Sequence, residues 1–184
     1  MLKEKGHLMV KYIVNQVAMS LFGFMIATTA MMIGDSWLLP FGIFALLFYL
    51  FILITFIRED GLKDGIKIDG GRAKRDPYLA LKYCSVAAVP GFIIALINTL
   101  LSFSGAQTGF LATCSAVFNV LTRIFVYGMY NPIDSYLFNN QIGVFSSYEF
   151  ISTSGISYLV YTFITLIVCH FTYLFAINKP VKKN

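Results

Sequence analysis

The residues of this chain best suited to metal binding or covalent catalysis are few: His7 and His170, with Cys84, Cys114 and Cys169. A metal site needs several such ligands converging, usually announced by Cys-x-x-Cys or His-x-x-x-His spacing. Neither pattern occurs. Cys169 and His170 are sequence neighbours, so on a helix their side chains diverge by about 100°, and core and interface roles are expected for them. Cys84 and Cys114 fall toward opposite membrane faces in the topology derived below, so a disulfide between them is not expected. Covalent catalysis asks for a base beside Ser or Cys and an acid that orients it. His170 is the one embedded base, and no carboxylate lies in the apolar run around it. The same absence argues against a proton-coupled carrier, and no inverted repeat supports a self-sufficient secondary transporter. No catalytic residue, metal or cofactor is expected.

What remains is uncharged polarity inside apolar sequence. Gln16, Asn98, Asn119, Arg123, Tyr127 and Tyr130 are the candidate ligand-binding residues. On facing helices the first four would converge on a cavity in which Arg123 anchors an anionic group. The competing expectation is packing alone, with Arg123 in a salt bridge to Asp134 or Glu149, because a charge beside lipid ordinarily has a protein partner.

The elements that must position these groups follow from where charge is missing. The 184 residues are 58% hydrophobic and 12% charged, with a mean hydropathy of +0.74, whereas soluble domains carry roughly a quarter charged residues. A water-soluble enzyme, a disordered chain and a secreted disulfide scaffold are excluded. Four runs lack Asp, Glu, Lys and Arg: 23 residues from Tyr12 to Gly34, 22 from Ser36 to Ile57, 40 from Tyr83 to Thr122 and 29 from Phe150 to Asn178. A bilayer core is crossed by about 20 apolar residues in a helix, and backbone in lipid must pair with itself. The runs lack strand-like alternation, which rejects a membrane barrel.

The expected fold is therefore an all-α integral membrane protein, a single domain over residues 1–184. It is a helical bundle of four spans, about 12–34, 38–57, 78–101 and 156–177, plus one outer-side re-entrant or interfacial helix over about 109–130. Five spans are the alternative, because 109–130 is 22 residues, roughly 33 Å of helix. Lys and Arg are retained on cytoplasmic loops. With four spans, thirteen of the fourteen bases share one face with both termini and the 58–77 loop, Arg123 being the exception. Localisation in the plasma membrane, with amino and carboxyl termini cytoplasmic, is the corresponding expectation.

Helices in lipid associate through small residues that allow close approach. The first span offers Ser20, Gly23, Ala27, Ala30 and Gly34 in register with Gln16, and the third offers Ala88, Gly91 and Ala95. The second and last spans, rich in Phe, Leu and Ile, are expected to face lipid. Between Arg58 and Pro77, four glycines among alternating charges suggest a loop or hairpin on the headgroups, with a short strand at Ile66–Ile68 and Arg72, Lys74 and Arg75 as its contact residues. The aromatic segment from Phe125 to Phe150 suits either a membrane interface or a lid over an outward pocket. The +5 net charge fits an anionic leaflet and is not read as nucleic-acid binding. The function expected is an accessory, assembly or regulatory subunit of a membrane complex, with lipids and another membrane or cytoplasmic subunit as partners. The alternative is a solute-binding or permeation subunit of a small-molecule transporter. Reporters fused to the two ends should report the same membrane side; opposite sides would require an odd number of crossings.

Overall fold

The computed structural model describes residues 5–103, 108–138 and 151–178. Each apolar run is helical over most of its described residues, and no strand occurs among the described residues. The helices are α1 (Gly6–Ile33), α2 (Leu38–Asp69), α3 (Leu79–Phe103), α4 (Gly109–Val120), α5 (Asn131–Phe138) and α6 (Ile151–Ile177). Five segments are long and apolar enough to cross a bilayer: α1, α2, α3, Gly109–Val126 and Ile156–Ile177. The chain is thus an all-α, membrane-embedded bundle.

Contacts between helix ends fix the directions of the elements. Lys5, before α1, meets Asp60 and Asp64 late in α2, Asp60 meets Tyr83 early in α3, and Asp64 meets Tyr173 late in α6. These residues form one end of the bundle, called the base. Both ends of the described chain lie there, since Asn178 contacts Arg75 in the turn after α2.

The described residues between α3 and α6 do not reach the base. Descending from the far end, α4 passes into a π-helical turn at Leu121–Val126 and a 3-10 turn at Gly128–Tyr130. Val126 lies against Gly91 at the midpoint of α3, and Met129 lies against Gly23 of α1. α5 then runs back, its Pro132 and Ile133 packing on Gly42 in the first turns of α2. The result is a hairpin that enters and leaves through the same end. The continuous helix anticipated over 109–130 is instead broken at 121–130.

Three sequence expectations are corrected. First, α2 does not end at Ile57 in a loop with a strand at 66–68; it continues to Asp69. Gly61 and Gly65 read as breakers in sequence, yet they lie one turn apart on the face that meets α6. A Cβ on Gly61 would come within 2.6 Å of the Ala176 Cβ, so glycine here permits packing. The helix stops where Gly70 N–H returns to the Ile66 carbonyl and Gly71 takes φ +67°, a left-handed value natural for glycine. Second, the last span does not simply face lipid. Tyr158, Thr162, Thr165, Cys169, Tyr173 and Ala176 are buried at three- and four-residue spacing, one helical stripe. α2 likewise buries Ala45, Tyr49, Leu53 and Ile57. Third, Gly34 is not part of a seam. It sits at φ 144° just past α1 with open space where a side chain would lie, while Ser20, Gly23, Ala27 and Ala30 are buried.

The start of α3 is set by Asp76. Its carboxylate accepts the Tyr78 amide at 3.1 Å and the Lys82 ammonium at 2.7 Å, and helix begins at Leu79, two residues after Pro77. The Lys82 hydrogen bond, aided by the Tyr78 amide, holds the carboxyl below its ordinary pKa. This contribution is complete above the unfolded aspartate range and is lost as pH falls through the lowered value.

Close approach at Gly23 is tight: an added Cβ would lie 2.2 Å from the Met129 Cα. Gly23→Ala should therefore lower the thermal unfolding temperature in detergent, at a cost of about 1–3 kcal/mol for an overpacked contact. Gly6→Ala, with no atom within 4 Å of its Cβ, should leave it unchanged.

Candidate functional site: a mid-bundle cavity and a buried ion cluster

The hairpin tip brings irregular backbone to the middle of an apolar bundle, where each free N–H and C=O needs a partner from protein. Three side chains supply them. Gln16 Nε2 donates to the Val126 carbonyl at 2.7 Å, the Gly128 amide donates to Ser20 Oγ, and Asn131 Nδ2 donates to the Arg123 carbonyl at 2.7 Å. Two of the three are oriented in turn. Tyr49 of α2 donates to Gln16 Oε1 at 2.7 Å, and Tyr158 of α6 donates to Asn131 Oδ1 at 3.1 Å. Tyr127 and Tyr130 reach across to Thr162 and Thr165 of α6, the second pair at 2.8 Å. Tyr127 also stacks on Tyr158 at 5.1 Å and Tyr130 on Tyr161 at 4.2 Å.

Between this tip, α1, α3 and α6 lies a cavity of about 160 Å³, open on one side where the lining residues Ile13, Pro90 and Phe125 are exposed. Pro90 and Gly91 line its α3 wall, and Phe125, Val126 and Tyr127 its hairpin wall. The π-helical turn thus faces α3 at Pro90-Gly91, where Gly91 lets Val126 approach closely. The polar groups on the lining are the Gln16 amide and the hydroxyls of Tyr12, Tyr127, Thr162 and Thr165; no Asp, Glu, Lys, Arg or His is present.

Of the candidate ligand residues, Gln16 and Tyr127 line this cavity, and Tyr130 lies beside Tyr127 with ring centroids 6.3 Å apart. Asn98, Asn119 and Arg123 are outside the lining. Asn98 is fully buried on α3, with neither amide atom hydrogen-bonded. Arg123 is buried, only 8% exposed, in the π-helical turn. Its anticipated partners Asp134, as a side chain, and Glu149 lie outside the described residues. Tyr127 and Tyr130 are core residues and no outer lid; Phe145, Tyr148 and Phe150 also lie outside the described residues.

A second polar site occupies the base. Lys5 Nζ bridges Asp60 at 2.6 Å and Asp64 at 2.8 Å. Tyr83 donates to Asp60 at 3.2 Å and Tyr173 to Asp64 at 2.9 Å. All three charged residues are at most 9% exposed. Helices α2, α3 and α6 and the start of α1 therefore meet in one hydrogen-bonded cluster. Sequence reasoning missed it because Asp60 and Asp64 stood in an expected loop. The signal was present: Asp60-Gly61 and Asp64-Gly65 recur at i, i+4, the spacing of one helical face.

Cys84 and Cys169 are both buried in the same core cluster, a proximity of α3 and α6 residues that spacing did not reveal. His170 stacks on Tyr78, with centroids 5.4 Å apart. Among the described residues no three His, Cys, Asp or Glu side chains come together as a metal site. Of the predicted contact residues, Arg72 and Lys74 line a cleft beside the Lys5 cluster, whereas Arg75 bonds Asn178.

No family model, curated sequence or solved structure matches this chain.

Lys5 is the buried ammonium shared by two acids, and the exposed Lys67 lies 3.9 Å from Asp64 as a second cation, so Lys5→Met strands the buried Asp60 carboxylate and should cost about 3 kcal/mol or more. Asp60→Asn leaves a one-to-one pair and should cost less. The triple variant Lys5→Met, Asp60→Asn, Asp64→Asn should recover most of the loss in thermal unfolding.

Proposed function

We propose that this chain is a membrane-embedded solute-binding subunit for a small, uncharged, amphiphilic molecule, held in the mid-bundle cavity. The observation that carries the reading is the unfilled space at the broken hairpin tip, lined by one amide and four hydroxyls within apolar walls. A continuous span would pack that volume with side chains. A break in a helix at membrane depth is tolerated where it is buried in protein or lines a cavity, and π-helical turns recur at functional sites.

Size and charge narrow the solute. An apolar cavity of roughly 150 Å³ accommodates a benzene-sized ligand, and the present one is about 160 Å³. The lining offers no ionised group to pair a charged ligand, and burying an unpaired charge is prohibitive. A single aromatic ring or short aliphatic chain bearing one hydroxyl or N–H therefore fits. Gln16 and Tyr127 lie at the polar edge, and Val17, Ala87 and Ile94 at the apolar one.

The broader proposal of a subunit within a membrane complex rests on the exposed basic residues of the base, Arg58, Lys63, Lys67, Arg72 and Lys74. It holds that this end faces the cytoplasm, with both termini there and the plasma membrane as location. A cytoplasmic or membrane partner would meet that face.

Phenol and indole are suitable probes for the purified protein in detergent. Either should raise the unfolding temperature in a saturable way, and Ala88→Leu, which projects into the cavity, should abolish the response while the protein remains folded. A response undiminished in Ala88→Leu, or none with either probe, would refute the cavity as a binding site.

A further inference from the structure

Beside the Lys5 cluster, α1, α2 and the turn after α2 enclose a second, larger cleft of about 700 Å³. Its lining carries six bases and three acids. Lys5 is already committed to Asp60 and Asp64, Lys67 lies 3.9 Å from Asp64, and Lys11 leans over the Phe56 ring at 4.7 Å. Lys63, Arg72 and Lys74 stand on the rim, and no ion pair to them occurs among the described residues. Glu59 is the one acid outside the Lys5 cluster. The cleft therefore keeps a positive excess concentrated on one α2 residue and two residues of the following turn.

We infer that this cleft binds a phosphate-bearing headgroup. The charge pattern asks for an anion of more than one unit, and several cations converging from two elements suit a phosphomonoester better than a single carboxylate. Arg72 can engage two phosphate oxygens with its planar fork, while lysines act as point charges. The inner wall is apolar: Leu8, Phe56 and Leu79 line it beneath the charged rim. A ligand with a charged head and an apolar stem satisfies both surfaces, and the volume lies within the range of sites for small organic ligands. Depth agrees as well. The charge-free run of α2 ends at Ile57, so the cleft opens where an embedded bundle meets lipid phosphates. The same chemistry could be supplied by a lipid or by a soluble phosphate; the geometry favours the lipid, because a soluble phosphate leaves the apolar wall uncovered. This site is separate from the mid-bundle cavity and stands or falls independently of it.

The test uses the full-length protein in detergent, with lipid binding followed by native mass spectrometry and by unfolding temperature. Phosphatidic acid should bind at least tenfold tighter than phosphatidylcholine, and its affinity should fall with added salt. The triple variant Lys63→Gln, Arg72→Gln, Lys74→Gln should weaken phosphatidic acid binding by about tenfold or more, in line with the surface electrostatics of three lost cations. Arg58→Gln, a neighbouring exposed base outside the cleft, should not. If the triple variant folds poorly, Lys74→Glu alone should still weaken binding severalfold. Sodium pyrophosphate separates the sources: stabilisation by pyrophosphate that matches phosphatidic acid assigns the site to a soluble phosphate, and its absence assigns it to the lipid. Equal binding of the two lipids with no response to pyrophosphate, or unaltered phosphatidic acid binding by both cleft variants, would overturn the inference.

Discussion

The structure depends on one constraint: a helix broken halfway through an apolar bundle must find partners for its backbone within the protein. Water is not available there, and each unpaired peptide group costs several kcal/mol in hydrocarbon. Gln16, Ser20 and Asn131 meet this need at three successive points of the break. The backbone can come near enough because Gly23 and Gly128 carry no side chains where α1 and the hairpin touch. Small residues and polar residues thus perform complementary tasks on the same face of α1, the first allowing approach and the second making it worthwhile.

Much of the surrounding architecture serves that arrangement. Tyr49 and Tyr158 orient the two amides, and Thr162 and Thr165 receive the tip tyrosines. These partners come from α2 and α6, which is why both helices bury polar groups. The cavity is a by-product of the π-helical turn and the irregular backbone after it, placed opposite Pro90 and Gly91 of α3. At the base a different polar cluster joins the helix ends, where Lys5 bridges two aspartates that would otherwise repel each other. A buried pair or triad of charges contributes little net stability against apolar packing, yet leaving one member unpaired is costly. Its effect is to fix which helix ends meet.

The helical class and membrane setting were legible because a charge-free run of about 20 residues matches the thickness of a bilayer core, and soluble helices rarely go so long without a charge. The close-packing face of α1 was legible from the spacing of Ser20, Gly23, Ala27 and Ala30. Gln16 and Tyr127 were recognisable as polar groups in apolar sequence, though not their particular partners, which come from α2 and α6, 33 and 35 residues away. The extension of α2 was hidden because Gly61 and Gly65 carry a breaker's identity while performing a packing role, and only the neighbouring α6 distinguishes the two. The burial of α6 was hidden for a related reason: a stripe of Tyr and Thr among Phe, Leu and Ile differs little in hydrophobicity from the rest of the helix. Arg123 drew attention as the lone basic residue of its segment, yet the described hydrogen bond at that position is to its backbone carbonyl.

The hairpin's dependence on α6 also bears on biosynthesis. The chain leaves the ribosome in order, so Tyr127, Tyr130 and Asn131 are made well before Thr162, Thr165 and Tyr158. Until the final helix is delivered, the loop tip cannot complete its bonds in the lipid interior. The tip is thus held first by Gln16 and Ser20 of α1, which precede it in the chain, and is locked only when α6 packs against it.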